Sequence, residues 1–560
     1  MRLVPVGRYW RTLRHLRAEQ LFFLIWRRVL RQPRRAAMPR AVSPKLMAAA
    51  ACLLPLPHAC WLGARRFRFL NHEHDFGERI DWQAGGESRL WQYNLHYFDW
   101  LRQSDCDPAQ ALGHMQEWIR ANPPFVGTGW EPYPSSLRLV NWLGTLALLP
   151  AADVPRGVID SVALQAAWLA GNIEYPLGAN HLFVNLKALL FVAAFLDGDY
   201  GRDLARHTGV RFARELTEQF LPDGGHYERS PMYHAILTQD LLELTALCAR
   251  NRSLLSAATT KALAQTTERA LAFAVVMQPP DDGVFLFNDA AANIAPGCDA
   301  LLGFAHRVCG IKMPARSNTV SFHACAESGY YVVRHGGDMV VFDCGEIGPA
   351  HQPGHAHCDT LSFELYLDGR RVLTNAGNHD YIAGSVRSHA RSTRAHNTVV
   401  VDDAEQSEIW SAFRVGRRAR PLHAALEARP DGVLFRGAHD GYRRLPGRVT
   451  HTRTALIRAD FLIELKDELA GEGHHRADSW LHLASGLTLR LAGPHFEIVD
   501  EKGAPIARLE PAPGSHAEIV ATPRYPEFGV AAMGMSLRQS VAGTLPCEIV
   551  CRVVPLRPSR

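Results

Sequence analysis

The hydrophobic period of this chain changes once, and that change limits what it can fold into. From about residue 105 to 310 apolar residues recur every three or four positions, the spacing of one buried helix face. Asp107-Pro108 reads as an N-cap with proline in the first turn, followed by Leu112, Met115 and Trp118 at helical spacing. A second segment starts at Ser135 or Ser136 and carries Leu139, Trp142, Leu143, Leu146 and Leu149 on one face. Further periodic segments run over 156–172, 180–197, 201–220, 232–250 and 254–277. Near residue 330 the period falls to two. Residues 330–334 and 339–342 flank Gly336-Gly337-Asp338, a hairpin signature. Leu361, Phe363, Leu365 and Leu367 alternate up to Asp368-Gly369, after which Val372 resumes. Strand-like runs continue over 397–402, 447–457, 460–467, 479–489 and 547–554. The pattern predicts an all-helical bundle, solenoid or toroid followed by an all-β half, with the boundary near 312–325.

The charge is just as uneven. Residues 1–68 hold fifteen Lys+Arg against one acid, Glu19, whereas the remainder has 46 bases and 55 acids. A nucleic-acid partner is not expected, because the body lacks a globally basic working face. Residues 8–31 read as one helix, apolar at Leu13, Leu16, Leu21, Leu24 and Ile25 with arginines around them. Such a helix lies on an anionic membrane surface or docks on the protein's own body, and docking is the expectation. The Pro-, Arg- and Ala-rich stretch 32–57 reads as a linker. No run is long enough for a transmembrane helix. The six apolar residues 21–26 are too short for a secretory leader and are followed by Arg27 and Arg28. Eleven scattered cysteines with no CxxC pair read as reduced, mostly buried thiols.

Four polar clusters interrupt these patterns. The first is Gly178-Ala179-Asn180-His181, with Asn185, at the start of an otherwise apolar helix. A helix start offers free N–H groups to an anion, although Asn180 reads equally as a plain N-cap. The second runs from Asp223 to His234 between two helices and includes Tyr227, Glu228, Arg229 and Tyr233. The third is His351, His355, His357 and Asp359 in a Gly/Pro loop; His355 and His357 share one side of an extended segment, which suits a base or a metal. The fourth spans Arg387, His389, Arg391, Arg394, His396 and Asn397, where arginines suit carboxylates or sulfates. Nucleophile-elbow, phosphate-loop, dinucleotide and HExxH motifs are absent. A pair of glycosidase carboxylates needs no local motif, and Glu131, Glu228, Asp289 and Asp359 are the candidates.

At these clusters the sequence resembles the heparinase II/III family of polysaccharide lyases, relatives of oligoalginate lyases. The resemblance runs from about Trp91 to Pro421 through WQYNLHYFDWL, GWEPYPSSLRLVNW, GANHLFVNLKALLF, DGGHYERSPMYH, GHAHCDTLSFELYLDGRRVLTNAG and RSTRAHNTVVVDD. It implies an α/α toroid over 61–315 and an antiparallel β-sandwich over 316–560, preceded by a basic helix and linker over 1–60. It also implies β-elimination on uronic-acid glycans. Asn180 and His181 match the positions that neutralise the substrate carboxylate. Tyr233 matches the tyrosine that protonates the leaving oxygen or takes the C5 proton, with Tyr227 its competitor, and His355 matches the partner base. Arg229, Arg391 and Arg394, with Tyr227, are the expected substrate contacts. The reaction requires no cofactor, but some relatives hold a structural divalent ion, zinc or calcium, at positions that fall on His357, Asn375 and His396. Asn375 departs from an acidic residue there, and an amide oxygen is a weaker ligand.

Two other classes fit parts of the pattern: a glycoside hydrolase on the same toroid, and a non-catalytic glycan-binding or assembly factor in exopolysaccharide production. The resemblance implies the periplasm or envelope, while the missing leader and the cysteines imply the cytoplasm. The glycan, endo or exo action and the oligomeric state are not readable from the sequence.

Overall fold

The segment expected as one helix over 8–31 is two helices, α1 (Val6–Leu13) and α2 (Ala18–Leu30). The break over 14–17 has a local cause: the Gln20 side chain accepts the Arg17 N–H at 3.0 Å, so α2 begins with its own cap. The structure, a computed structural model, describes residues 6–30, 36, 43–44, 52–56, 59–313, 320–513 and 515–557. Most of the expected linker and the segment 314–319 at the expected domain boundary lie outside the described residues.

The helical half follows the periodicity closely. After α3 (Arg89–Tyr97), which the pattern did not single out, come α4 (Pro108–Ala121), α5 (Pro132–Leu146), α6 (Arg156–Gly171) and α7 (Ala179–Phe195). α8 (Asp199–Gln219), α9 (Pro231–Arg250) and α10 (Ala257–Val276) complete the ring. Asp107 caps α4 as expected, whereas α5 starts three residues before Ser135, at Pro132. α7 packs against α5, α6, α8 and α9, and this central place explains why its sequence is apolar on every side. The exception inside it, Lys187, is paired with Asp240 and, at 2.5 Å, with Glu243, both on α9; Arg102 holds the other Glu243 oxygen at 2.6 Å. Buried charge is tolerated there because each ion has its partner.

The second half is antiparallel throughout its three main sheets. A five-stranded sheet (Ser321–Cys325, Tyr330–His335, Asp338–Asp343, Phe363–Leu367, Arg370–Leu373) runs in chain order. Tyr331, Val333, Val340 and Phe342 point into a core shared with the eight-stranded sheet, through Val433, Phe435, Ala455 and Ile457. The alternate residues Tyr330, Val332, Met339 and Val341 pack on Phe273 and Met277 at the end of α10 and on Phe285 and Phe287. With both faces covered, these strands read as unbroken apolar runs. The eight-stranded sheet begins at the edge strand Pro421–Arg429, and a four-stranded sheet contains Val399–Val401, His474–His482, Ala532–Thr544 and His516–Arg524. A toroid joined to a β-sandwich is the resulting architecture, and the segment after Met277 lies between the two.

Candidate active site

Three loops meet where toroid and sandwich join. One leads into α7, one precedes α9, and one, 351–359, enters the five-stranded sheet. The connector 285–290 stitches them together. Asn288 Nδ2 donates to the Arg229 carbonyl (2.8 Å), its Oδ1 accepts the His357 N–H (3.0 Å), and its own N–H donates to Asp359 (2.7 Å). The Asp289 N–H donates to the His355 carbonyl at 2.9 Å. Ala179, Arg229 and Asn288 all adopt positive φ (52°, 54° and 54°), so the loops before α7 and α9 and the connector each hold a left-handed residue at the meeting point. Such strain persists only where surrounding bonds fix it.

Asn180 is buried in the first turn of α7. Its Nδ2 donates to both Glu228 oxygens (2.9 and 3.2 Å) and stands 3.4 Å from His355 Nε2. Tyr233 lies in the first turn of α9, where Ser230 caps the helix and Pro231 follows. Ser230 Oγ also donates to the Asp289 carbonyl at 2.7 Å, tying this helix start to the connector. The Tyr233 ring faces the His355 ring with centroids 4.1 Å apart, and its hydroxyl shares a 2.9 Å hydrogen bond with Tyr381. Burial first, then the neighbouring Tyr381 and Tyr133 hydroxyls, push the Tyr233 phenol well above its ordinary value, so it keeps its proton.

His355 is set by a buried ionic centre. Its Nδ1 lies 2.9 Å from Asp289, whose other oxygen takes His357 Nε2 at 2.7 Å, and the Arg387 guanidinium grips both Asp289 oxygens. Burial alone would raise the Asp289 carboxyl; Arg387 and the two imidazoles outweigh it and hold it well below the usual range. An ionised carboxylate only accepts hydrogen bonds, so His355 carries its proton on Nδ1 and turns the Nε2 lone pair toward Asn180. His181 lies 3.2 Å from Glu174 and against the Tyr133 ring. Burial favours its neutral form, but Glu174 more than offsets this and raises its pKa.

The remaining expected site residues take other places. Arg391 is fully buried and donates to the carbonyls of Ala356, Ser411 and Ala412 (3.0–3.1 Å), so it braces the His355 loop instead of facing substrate. Arg229 donates to the Ser328 and Glu327 carbonyls, and exposed Arg394 sits 3.4 Å from Asp403. Tyr227 is buried behind the cluster near His351. In the expected metal trio, His357 Nδ1 and His396 Nε2 stand 3.3 Å apart. The Asn375 oxygen already accepts from Ser362 Oγ (2.6 Å) and the Asn397 N–H (3.3 Å). Burial also keeps both imidazoles neutral. Neutral imidazoles at that spacing suit an ion, but the third position offers only an amide oxygen that Ser362 and Asn397 already engage; among the described residues no group of three or more His, Cys, Asp or Glu is arranged for a metal.

Of the four carboxylates considered for hydrolysis, Glu131 pairs with Arg89 and Tyr93, Asp289 is sealed by Arg387, and Asp359 is held by the Asn288 N–H. Glu228 alone stands beside Asn180 and His355. Asp289, Arg387 and Tyr381 complete the cluster; only the first two had a sequence signal, Asp289 as a carboxylate candidate and Arg387 as a charge clamp.

The loops that build this cluster fall inside two matched families. Residues 153–296 match Heparinase II/III N-terminus, and residues 318–538 match Heparinase II/III-like, C-terminal. The chain belongs to the heparinase II/III-like family. Within it, the chain is 26% identical over 347 residues to a heparin-sulfate lyase of Pedobacter heparinus, covering 56% of this chain and 48% of the relative. A heparin-sulfate lyase of Bacteroides stercoris is 22% identical over 371 residues, 59% of this chain and 53% of its own. The chain thus spans about half the length of the curated relatives it matches. The crystal structure of a heparinase III superposes with a TM-score of 0.69 at 18% identity, over 97% of this chain and 92% of that one. That likeness extends the toroid-plus-sandwich architecture of the heparinase II/III-like family to the whole chain.

Proposed function

We propose that this heparinase II/III-like chain is a polysaccharide lyase that cleaves an acidic, uronate-containing glycan by β-elimination. The observation that carries the reading is the His355 ring, with Nε2 3.4 Å from the Asn180 amide and its face packed on the ring of a protonated Tyr233. The names of the two curated relatives support the same substrate class.

The chemistry needs these three groups. The C5 proton of a uronate becomes removable once the charge of its carboxylate is neutralised. Asn180 supplies an amide donor for that, and each such donor contributes about 10²–10³ in rate. His355 Nε2 takes the C5 proton. The C–H electron pair forms the C4–C5 double bond, the C4–O4 bond breaks, and the departing oxygen takes the Tyr233 proton. Asp289 stabilises the imidazolium that results. No water enters the products. Proton-transfer groups of this kind contribute about 10²–10⁴ each.

The test is ultraviolet absorbance of the unsaturated uronate across a panel of uronate polysaccharides, with Tyr233→Phe alongside. Wild type is expected to generate absorbance with at least one polymer, and the variant to be slower by about 10²–10⁴. Saturated products carrying oxygen from labelled water would overturn the elimination in favour of hydrolysis. Equal rates in both proteins would remove Tyr233 from the role.

A further inference from the structure

α1 and α2 are turned the unusual way round: their polar side chains face the protein and their apolar ones face out. Arg11 makes a two-pronged contact with Glu408 (2.6 and 2.7 Å), Arg8 reaches the same carboxylate at 3.2 Å, and Thr12 Oγ1 donates to the Val415 carbonyl. These fasten α1 to the sandwich half. α2 is fastened to the toroid: Arg17 to Glu218 at 2.5 Å, Glu19 to Arg211 at 3.1 Å, and Gln20 to the Pro176 carbonyl at 3.1 Å. Phe23 stacks on Tyr175 with centroids 4.8 Å apart.

The opposite face of α2 is a continuous apolar stripe. Leu21, Phe22, Ile25 and Val29 follow helical spacing on one side, and the last three are 56%, 62% and 72% exposed. Trp10 on α1 is 68% exposed. Scattered exposed apolar residues need no explanation, but a stripe of large ones on a helix braced from behind marks a contact surface. Cations gather at the turn between the helices. Arg14 Nε stands 3.3 Å from the His15 ring, and burial first, then Arg418, Arg14 and Arg420, lower the pKa of that imidazole. Arg14 and Arg420 are exposed and pair with no carboxylate among the described residues. Glu19, the one acid of residues 1–68, is already taken by Arg211.

We propose that this face docks on an anionic lipid bilayer, with the α2 stripe at the boundary of headgroups and acyl chains and the arginines against lipid phosphates. Charge decides between occupants: a second copy would set the exposed Arg14 and Arg420 against their own kind, whereas an anionic surface complements them. No helix among the described residues is long and apolar enough to cross a membrane, so the contact is peripheral. It lies behind the loop that carries His355, since Gln20 also reaches the His351 carbonyl at 3.4 Å.

The experiment is flotation of the full chain with vesicles of phosphatidylcholine alone and of phosphatidylcholine mixed with phosphatidylglycerol. The chain should float with the mixed vesicles, weakly with the neutral ones, and be released by salt. Phe22→Ser/Ile25→Ser/Val29→Ser should lower partitioning about tenfold or more, the scale of losing several buried apolar side chains, with the melting temperature unchanged. Arg14→Glu/Arg420→Glu should abolish the preference for anionic vesicles. Wild type remaining unbound to both vesicle types, or a triple variant that floats as well as wild type, overturns the proposal. A concentration-dependent dimer that the triple variant abolishes, without vesicle binding, also overturns it and assigns the face to a second copy.

Discussion

Asn180 and Tyr233 reach the junction from the first turns of α7 and α9, whereas His355 comes from a loop with no regular structure around it. The start of α9 is fixed locally, by a cap at Ser230 and a proline at the first position, and Asn180 in the first turn of α7 adds an amide shared with Glu228 of the loop before α9. The loop has no such local means. His355 is aimed by Asp289, which arrives from the connector, and Asp289 is itself held by Arg387 from another part of the sandwich half. The toroid side of the site is therefore built from secondary structure and the sandwich side from buried charge. Damage to the first should cost activity with a modest loss of stability, and damage to the ionic centre behind the second should cost activity with a larger one.

The largest effect is expected from His355→Ala, which removes the aimed nitrogen. The turnover number should fall by about 10²–10⁴, and the denaturation midpoint should drop modestly because Asp289 loses one of its two imidazole partners. Next is Asp289→Asn. Arg387 is then left buried without its counter-charge, and breaking such a pair costs about 3–5 kcal/mol, read as a drop in denaturation midpoint. Turnover should fall as well, because the tautomer of His355 is no longer set. Asn180→Ala sharpens the contrast from the toroid side: turnover falls by about 10²–10³ while stability falls by about 1–3 kcal/mol, less than for Asp289→Asn, because Glu228 loses an amide donor but no counter-charge. Equal stability losses for Asp289→Asn and Asn180→Ala would break the contrast.

The same contrast explains which parts were legible in the sequence. The seven helices over 107–277 follow caps and a 3.6-residue period, and the structure places each within a few residues of the expected segment. The hairpin at 330–343 was readable because both faces of that sheet are buried. Strands Pro421–Arg429 and Ala532–Thr544 left no such trace. The first is an edge strand rich in Ala, Leu and Glu, which favour helices, and the second mixes Gly, Ser and Gln with apolar residues, so their pairing is set by neighbours in the sheet. Asn180, Tyr233 and His355 were singled out by motif, and the structure brings them together. Arg387 was read as a clamp for a substrate anion; it clamps a carboxylate, but that of Asp289, which lies 98 residues away in the chain. Long-range ion pairing leaves no local pattern, and Tyr381 stood in a loop with no periodicity at all.

A smaller effect tests whether the second arginine of that cluster belongs with the loop. Arg391→Met leaves three carbonyls in the 356 and 411–412 segments without their donor, at about 1–3 kcal/mol for each group left unsatisfied. The denaturation midpoint and turnover should drop, while KM and its salt dependence stay as in wild type. A rise in KM that salt abolishes in the wild type would restore Arg391 to the substrate.

The remaining effect is in pH, where the two halves should respond with opposite sign. In the toroid, burial raises the Glu243 carboxyl, but Arg102 and Lys187 prevail and hold it at about 2. Its folded pKa lies below the unfolded one, so its contribution is present above about 4.5 and lost as pH falls toward 2. At the junction, burial pushes Asp359 up to about 7, with the nearby Asp289 charge adding to the rise. Asp343 beside it is raised for the same first reason, burial, and then by Asp359. For Asp359 the order of pKa values is reversed: its contribution is full below about 4 and is lost as pH rises toward 7, by at most about 1.4 kcal/mol per pH unit. Denaturant unfolding between pH 4.5 and 7.5 should therefore show a decline that Asp359→Asn flattens, while Glu243→Gln leaves that decline intact and alters only the acid side. A decline that survives Asp359→Asn would move its origin to Asp343, within the same junction. A decline removed by Glu243→Gln would place the charge dependence of the sandwich side in the toroid core, contrary to the division drawn from the two walls of the site.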